Sequence, residues 1–265
     1  YPLVPEKHLA AEEEQWANFL SGRGTVTIGP GETRCAIIDL QGYYCAYPQL
    51  VVSGGKNGAI SLNWAEAFYE EEDGKYKGDR NQIEGKYFIG EADEFLPDGG
   101  EKRLFSTLWW RAGRYMELTV QTVDEPLTLE SFSLLETRYP LNMEGEFACS
   151  DQKLEEIIPL ALRGLQMCTH DIYMDCPYYE QLMYVGDTRL EVLVTYVLTK
   201  DTRLVRKALR AFANSRKTSG LTQSRYPTRL MHIIPPYSLW WVMMVHDYFL
   251  WRDDLDFVRE LLPTV

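Results

Sequence analysis

The sequence predicts an antiparallel β-sandwich followed by antiparallel pairs of helices, the arrangement from which an α/α toroid is built. From Gly24 to about Tyr139, apolar and polar residues alternate with a period of two, which is the pattern of strands with one buried face. From Ser150 onward, apolar residues recur every three or four positions, as they do on the buried face of a helix. The predicted limits are a helical segment at residues 1–22, the sandwich at 23–143 and the start of a truncated helical domain at 144–265.

A short amphipathic helix is predicted over about Pro5 to Leu20. Proline suits the first turn of a helix, because the N–H group that it lacks would have no partner there. Trp16 and Phe19 belong to the apolar side of this helix. The three glutamates at 12–14 form an acidic side that we expect to face water.

Short alternating segments separated by turn dipeptides indicate the strands of the sandwich. The dipeptides are Gly-Pro, Gly-Gly, Asp-Gly and Asn-Gly, which favour tight chain reversals. A polar stretch at 70–81 has no period and is predicted to be a loop. Arg80, Asn81 and Gln82 either contact a ligand there or belong to an ordinary solvated loop. The alternating segments are residues 25–28, 59–64, 114–120 and 127–132.

Five helices are predicted after Ser150. The first carries apolar residues at helical spacing from Leu154 to Cys168 on one broad buried face, and Pro159 is expected to kink it. Residues 220–234 form a long connection without a period. The other helices are predicted at 188–199, at 202–215, from Pro235-Pro236 to about Trp251, and from near Asp254 onward.

The loop between the first two of these helices, residues 171–187, organises the rest of the chain. Pro177 lacks a backbone donor and disfavours helical geometry at the residue before it, so the first helix is expected to end near Met174. The stretch that follows is polar and is predicted to be an irregular turn between two apolar helices.

Four carboxylates lie in this loop among several tyrosines, at Asp171, Asp175, Glu180 and Asp187. Neighbouring carboxylates raise one another's pKa, which keeps one of them protonated as an acid near neutral pH. The cluster therefore predicts a site for acid chemistry. The alternative is that the acids cap helices, and Asp187 in particular stands where an N-cap is preferred.

The run Asp175-Cys176-Pro177, followed by Glu180 and Gly186-Asp187, resembles the signature of the α-L-rhamnosidases of glycoside hydrolase family 78. The usual form of that signature is Asp-Cys-Pro-x-Arg-x-Glu-x-x-x-Trp-x-Gly-Asp. This chain aligns with it when one residue is deleted between Pro177 and Glu180.

The resemblance implies a role for each matching side chain. Glu180 takes the place of the general acid, and Asp175 and Asp187 take the places of carboxylates that hold sugar hydroxyls. Tyr184 stands where the family has a tryptophan that packs against the sugar. The substrate-contacting arginine of the family has no counterpart, because Tyr178 and Tyr179 occupy that stretch, and Tyr179 is expected to contact the substrate.

The resemblance also implies an architecture and a reaction. The catalytic domain of the family is an (α/α)6 toroid preceded by a β-domain, and this chain would hold the first third to half of that toroid. The implied reaction is hydrolysis of terminal α-L-rhamnosides with inversion, and the general base is expected beyond residue 265. The chain begins at Tyr1 without a methionine and ends soon after Pro263, so we expect a piece of a longer protein, whose compartment this sequence does not indicate.

Four further side chains could reach the same cleft from the connection and from the fourth helix. They are polar or aromatic, and the alternative for each is core packing or helix capping, because aromatic residues at helical spacing are usually core. These candidates are His232, Tyr237, Trp240 and Trp241.

Composition excludes several other classes of function. The net charge of -12 argues against nucleic acid as a partner, because phosphate backbones are bound by Lys and Arg. No apolar run approaches the ~20 residues that cross a bilayer. The five cysteines and four histidines are scattered, and there is no phosphate-binding glycine loop or G-x-S-x-G motif. We therefore predict no metal and no cofactor. The resemblance implies a carbohydrate as the partner, and the oligomeric state stays open.

Two alternative functions stay open at this stage. The chain could belong to a non-catalytic carbohydrate-binding protein whose altered motif marks a decayed site. It could also belong to a glycosidase of the same toroid class that acts on another sugar, since the departures at Tyr179 and Tyr184 concern substrate contacts.

Overall fold

The computed structural model describes residues 9–265, with side chains from Glu12 onward, so the predicted helix start at Pro5 lies outside the described residues. The chain divides into two compact units, one up to Thr137 and one from Arg138 onward. The domain limits given above stay a prediction.

The first helix, α1 (Leu9–Leu20), packs on the sheet of its own unit. Trp16 and Phe19 are buried and meet edge to face, with ring centroids 6.1 Å apart. Glu12 does not simply face water, because it forms an ion pair of 3.0 Å with Arg34.

Seven strands within residues 9–137 form one continuous antiparallel sheet, in the order β1-β7-β2-β6-β3-β4, with β5 also paired to β2. The predicted segments correspond to β1, β3, β6 and β7, whereas β2, β4 and β5 were not predicted. The strands are β1 (Val26–Ile28), β2 (Thr33–Gly54), β3 (Ala59–Ala65), β4 (Glu91–Phe95), β5 (Arg103–Ser106), β6 (Arg111–Gln121) and β7 (Leu127–Glu136).

The 22-residue strand β2 folds this sheet over on itself. Its first residue, Thr33, pairs with Gln121, and its last, Gly54, pairs with Leu127. The six residue-to-residue steps from 121 to 127 span at most about 22 Å, whereas 22 extended residues would span about 70 Å. The strand must therefore bend back, and it does so at a register shift where Gln41 has a φ of 58°. Both halves bury their apolar residues in one core, and the sandwich prediction is confirmed.

The polar loop between β3 and β4 is held against β6. The hydroxyl of Tyr115 donates to the backbone oxygen of Arg80 at 2.7 Å, and Arg114 donates to the side-chain oxygen of Asn81 at 2.7 Å. These contacts fix the loop, and ligand binding by Arg80, Asn81 and Gln82 stays a prediction.

Residues 138–265 contain five α-helices, as predicted. Residues 151–265, all of which the structure describes, contain no β-strand, only two isolated bridges. The unit is built around buried aromatic residues that include Tyr173, Phe212, Trp241 and Tyr248. The helices are α2 (Gln152–Met167), α3 (Val185–Leu198), α4 (Arg203–Asn214), α5 (Pro235–Trp251) and α6 (Leu255–Leu261).

The predicted broad buried face of α2 is wrong for its first half. Leu154 is 48% exposed and Ile157 is 52% exposed, and only Leu165 and Met167 near the end of the helix are buried. An apolar stripe shows which face a helix can bury, but the packing partners decide whether that face is covered. Among the described residues, no helix has the length and continuous apolar character that would let it cross a membrane.

Candidate active site

The loop between α2 and α3 begins earlier than predicted, because α2 ends at Met167 and not near Met174. The hydroxyl of Thr169 donates to the carbonyl of Leu165, and the N–H of Met174 returns to the carbonyl of Cys168 at 2.8 Å. These bonds reverse the chain before Pro177 is reached. The helix is therefore ended by local turn chemistry and not by the proline.

Asp175 closes the next part of the loop. Its side chain accepts the N–H of Leu182 at 2.9 Å, and its own N–H donates to the carbonyl of Leu182 at 3.0 Å. Gln181, whose φ of 55° reverses the backbone, donates its N–H to the carbonyl of Cys176 at 3.1 Å. Residues 175 and 182 are thereby tied together, which brings Glu180 back towards Asp175.

Glu180 is exposed and lies close enough to Asp175 and Tyr184 for its charge to raise the pKa of both side chains. Burial raises the pKa of Asp175, the N–H groups of Leu182 and Cys176 oppose that rise, and the nearby charge of Glu180 adds to it. The loop thus places two carboxyl groups, those of Asp175 and Glu180, beside each other.

Asp187 and Glu191 lie on α3, one turn apart. Asp187 is in the first turn and is not the N-cap, since the cap residue is Tyr184, which makes no capping bond from its side chain. Burial first, and then the charges of Asp187 and Asp175, raises the pKa of Glu191 from an ordinary value of 4.5 to about 9. The buried Oε2 of Glu191 has no hydrogen-bond partner among the described residues. Glu191 is therefore a neutral acid at pH 7.

Tyr184 is held by a segment from the long connection. The N–H of Val185 donates to the carbonyl of Ser224 at 2.9 Å, and the N–H of Tyr226 donates to the carbonyl of Met183 at 3.1 Å. Between these bonds, Nη1 of Arg225 donates to the hydroxyl of Tyr184 at 2.6 Å, and the guanidinium lies 5.4 Å from the centre of the tyrosine ring.

Tyr237 and Trp240 approach from the first turns of α5. A Cβ atom at Gly186 would lie 2.8 Å from the ring and hydroxyl of Tyr237, so only glycine allows this approach without movement. Burial and then the charges of Asp187 and Tyr184 raise the pKa of Tyr237. The ring of Trp240 lies 6.3 Å from that of Tyr237.

The structure places the remaining predicted site residues, Trp241, His232 and Tyr179, in three different environments. Trp241 is buried in the core and donates its ring N–H to the carbonyl of Leu209 at 3.1 Å, so its assignment to the cleft is corrected to core packing. A hydrogen bond of 2.7 Å joins His232 to Ser224. Tyr179 is 68% exposed and meets Tyr178 edge to face, with centroids 6.0 Å apart.

The structure therefore brings Asp175, Glu180, Tyr184, Asp187 and Tyr237 together. Sequence reasoning missed Glu191 and Arg225. Glu191 follows Asp187 by four positions, which places both side chains on the same face of a helix, so this spacing could have indicated Glu191. Arg225 lies in a connection without periodicity, and nothing in its local sequence points to the loop.

Comparisons with known proteins agree with this description. Residues 142–265 match the family model of the bacterial α-L-rhamnosidase six-hairpin glycosidase domain. None of the curated proteins compared matches this chain. A family 78 rhamnosidase structure from Bacillus sp. GL1 is similar, with a TM-score of 0.72 and 21% identity over 91% of this chain and 24% of its own.

Two further solved structures are similar. A rhamnosidase from Klebsiella oxytoca with rhamnose bound has a TM-score of 0.72 and 21% identity over 90% of this chain and 48% of its own. An α-L-rhamnosidase from Streptomyces avermitilis complexed with L-rhamnose has a TM-score of 0.63 and 15% identity over 90% of this chain and 23% of its own. The chain thus spans between about a quarter and a half of the length of these proteins. The resemblance is confirmed: the helical unit matches the six-hairpin glycosidase domain of bacterial α-L-rhamnosidases, and the fold of the chain is similar to that of rhamnosidase structures.

Proposed function

We propose that the protein containing this chain hydrolyses terminal α-L-rhamnosides with inversion at the anomeric carbon. The observation that carries the proposal is the close grouping of Asp175, Glu180 and Tyr184, in a loop whose residues match the acid motif of the family. The rhamnose bound in two of the similar structures supports this choice of sugar.

Glu180 is the general acid in this mechanism. Its side chain is exposed and can reach the glycosidic oxygen of a bound substrate. It protonates that oxygen as the bond to the anomeric carbon breaks, so that the leaving group departs as a neutral alcohol. Asp175, whose pKa is raised by burial and by Glu180, lies beside this acid.

The sugar is held by groups around this pair. The carboxylates of Asp175 and Asp187 accept hydrogen bonds from ring hydroxyls. Tyr184 and Tyr237 supply aromatic faces, which pack against the apolar side of a sugar ring. Tyr179, exposed at the rim, contacts the aglycone or the sugar from solvent.

The water nucleophile needs a second carboxylate. In an inverting glycosidase this base lies roughly 6.5 to 9.5 Å from the acid, on the opposite face of the sugar. The family resemblance assigns the base to a later part of the toroid, so we assign it to no residue of this chain. Turnover is a property of the full-length protein.

The test is to follow hydrolysis of a nitrophenyl α-L-rhamnoside by the full-length protein with proton NMR. We expect the β-anomer of rhamnose as the first product. The α-anomer as first product would contradict inversion. Cleavage of a different aryl glycoside from a panel would keep the glycosidase class and change the sugar. Saturable sugar binding without hydrolysis would identify a carbohydrate-binding protein instead.

A further inference from the structure

We propose that Arg225 binds the glycoside, donating hydrogen bonds to a pair of neighbouring sugar hydroxyls beside Glu180. The inference rests on the proposed function and adds a substrate-binding residue to that site. Arg225 lies in the connection at 220–234 and not in the acid motif.

The position of Arg225 is fixed by its neighbours. Ser224 is fully buried, and the connection pairs with the motif loop through the two backbone hydrogen bonds from Val185 and Tyr226 described above. A bridge between Tyr184 and Arg225 lies between these bonds. The connection without periodicity is therefore an ordered wall of the site, and the side chain of Arg225 is directed by a rigid backbone.

The guanidinium of Arg225 is only partly used by the protein. It has five N–H donors, and Tyr184 is its only side-chain hydrogen-bond partner within residues 12–265. Its Nε is buried without a partner among these residues, and it forms no ion pair with the acids that the structure describes. Buried donors are nearly always paired in folded proteins, so this one calls for an acceptor that a bound ligand can supply.

The neighbourhood of Arg225 identifies that ligand. The hydroxyl of Tyr184 accepts from Arg225, and Glu180 is near enough to raise the pKa of the same hydroxyl, so only the side chain of Tyr184 separates Arg225 from the proposed acid. A sugar that places its glycosidic oxygen at Glu180 would bring its ring hydroxyls within reach of Arg225. The planar fork of arginine matches two adjacent oxygen acceptors.

The charge of the motif loop supports the same assignment. Residues 171–187 include four carboxylates and no lysine or arginine. These acids accept hydrogen bonds from hydroxyls but cannot donate to the sugar oxygens when ionised. Arg225 supplies a cationic donor, which the motif loop lacks, from a distant part of the sequence.

The experiment compares Arg225→Gln, Arg225→Lys and Tyr184→Phe in the full-length protein. The substrates are a nitrophenyl α-L-rhamnoside and its mono-deoxy analogues. The matched control is Arg229→Gln, which changes an exposed arginine of the same connection. We expect Arg225→Gln to lower kcat/KM roughly 10- to 100-fold on the parent substrate, with little rescue by lysine.

The deoxy analogues separate binding from a structural role. If Arg225 donates to one hydroxyl, the wild type loses activity on the analogue without that hydroxyl, and Arg225→Gln no longer distinguishes this analogue from the parent. Equal discrimination by wild type and Arg225→Gln, with a loss that Tyr184→Phe reproduces, would overturn the inference and leave Arg225 as a support for Tyr184. If the wild type neither binds nor cleaves the rhamnoside, the proposed function fails with it.

Discussion

Glu191 stands four residues after Asp187 on α3, and the charge of Asp187 acts together with burial to raise the pKa of Glu191 to about 9. The two carboxyl groups are held on one helix, so they cannot separate when both would ionise. The site therefore carries one negative charge fewer at pH 7 than its residues suggest.

Glu191→Gln should stabilise the protein at alkaline pH. The unfolded chain loses the Glu191 proton near the ordinary pKa of 4.5, whereas the folded chain keeps it until about 9. The contribution of Glu191 to stability is thus complete below the unfolded pKa and is lost as pH rises towards 9. Glutamine keeps the shape of the side chain and does not titrate. The variant should therefore become more stable than the wild type as pH rises from 4.5 to about 9.

Urea unfolding followed at several pH values measures this effect. The unfolding midpoints of wild type and Glu191→Gln should be similar near pH 4 and diverge as pH rises. Glu156→Gln, at an exposed position on α2, is the matched control and should show no such divergence. Parallel midpoint curves for Glu191→Gln and wild type would show that Glu191 ionises normally.

Glu180→Gln should reduce the rate in proportion to the need of the leaving group for a proton. A sugar alcohol is a poor leaving group, and loss of general acid assistance should cost roughly 10² to 10⁴ in kcat on a natural disaccharide. A nitrophenolate departs without protonation, so the loss on the aryl rhamnoside should be much smaller. The ratio of the two losses, measured by steady-state kinetics, reports the acid role. Equal losses would make Glu180 a binding residue.

Asp175→Asn should affect both substrates alike. Its contacts with sugar hydroxyls do not depend on the aglycone, and we expect a loss in kcat/KM of roughly 10- to 100-fold for either substrate. The amide also removes an ionisable group beside Glu180, so the pH profile of kcat should shift. A loss confined to the disaccharide would instead place Asp175 in proton transfer to the leaving group.

Gly186→Ala should impair activity through Tyr237. The added Cβ would lie 2.8 Å from the tyrosine ring, which must then move away from the loop. We expect a higher KM for the aryl rhamnoside, with the helical content measured by circular dichroism unchanged. The matched control is Gly164→Ala on α2, where a Cβ meets nothing within 4 Å. That substitution should leave activity unchanged and stabilise the helix by about 1 kcal/mol. Equal KM values for both variants would remove Tyr237 from the site.

The sequence by itself determined where strands and where helices form, and it determined the central residues of the candidate site. A change in hydrophobic period is a local property, and it separated the strands before Thr137 from the helices after Ser150. Asp175, Glu180 and Tyr184 lie within ten consecutive residues, so the chain itself keeps them near one another, and their order carries the family resemblance.

The tertiary structure alone decided the features that depend on distant segments. The bend of β2 follows from its pairing with both β6 and β7, and the exposure of Leu154 follows from which surfaces α2 meets. Burial and neighbouring charges raise the pKa of Glu191 and keep it protonated. The backbone hydrogen bond between Val185 and Ser224 brings Arg225 to Tyr184, which is 41 positions away in the sequence. Burial, charge and hydrogen bonding act through space, so a pattern along the chain does not contain them until the fold has placed the residues together.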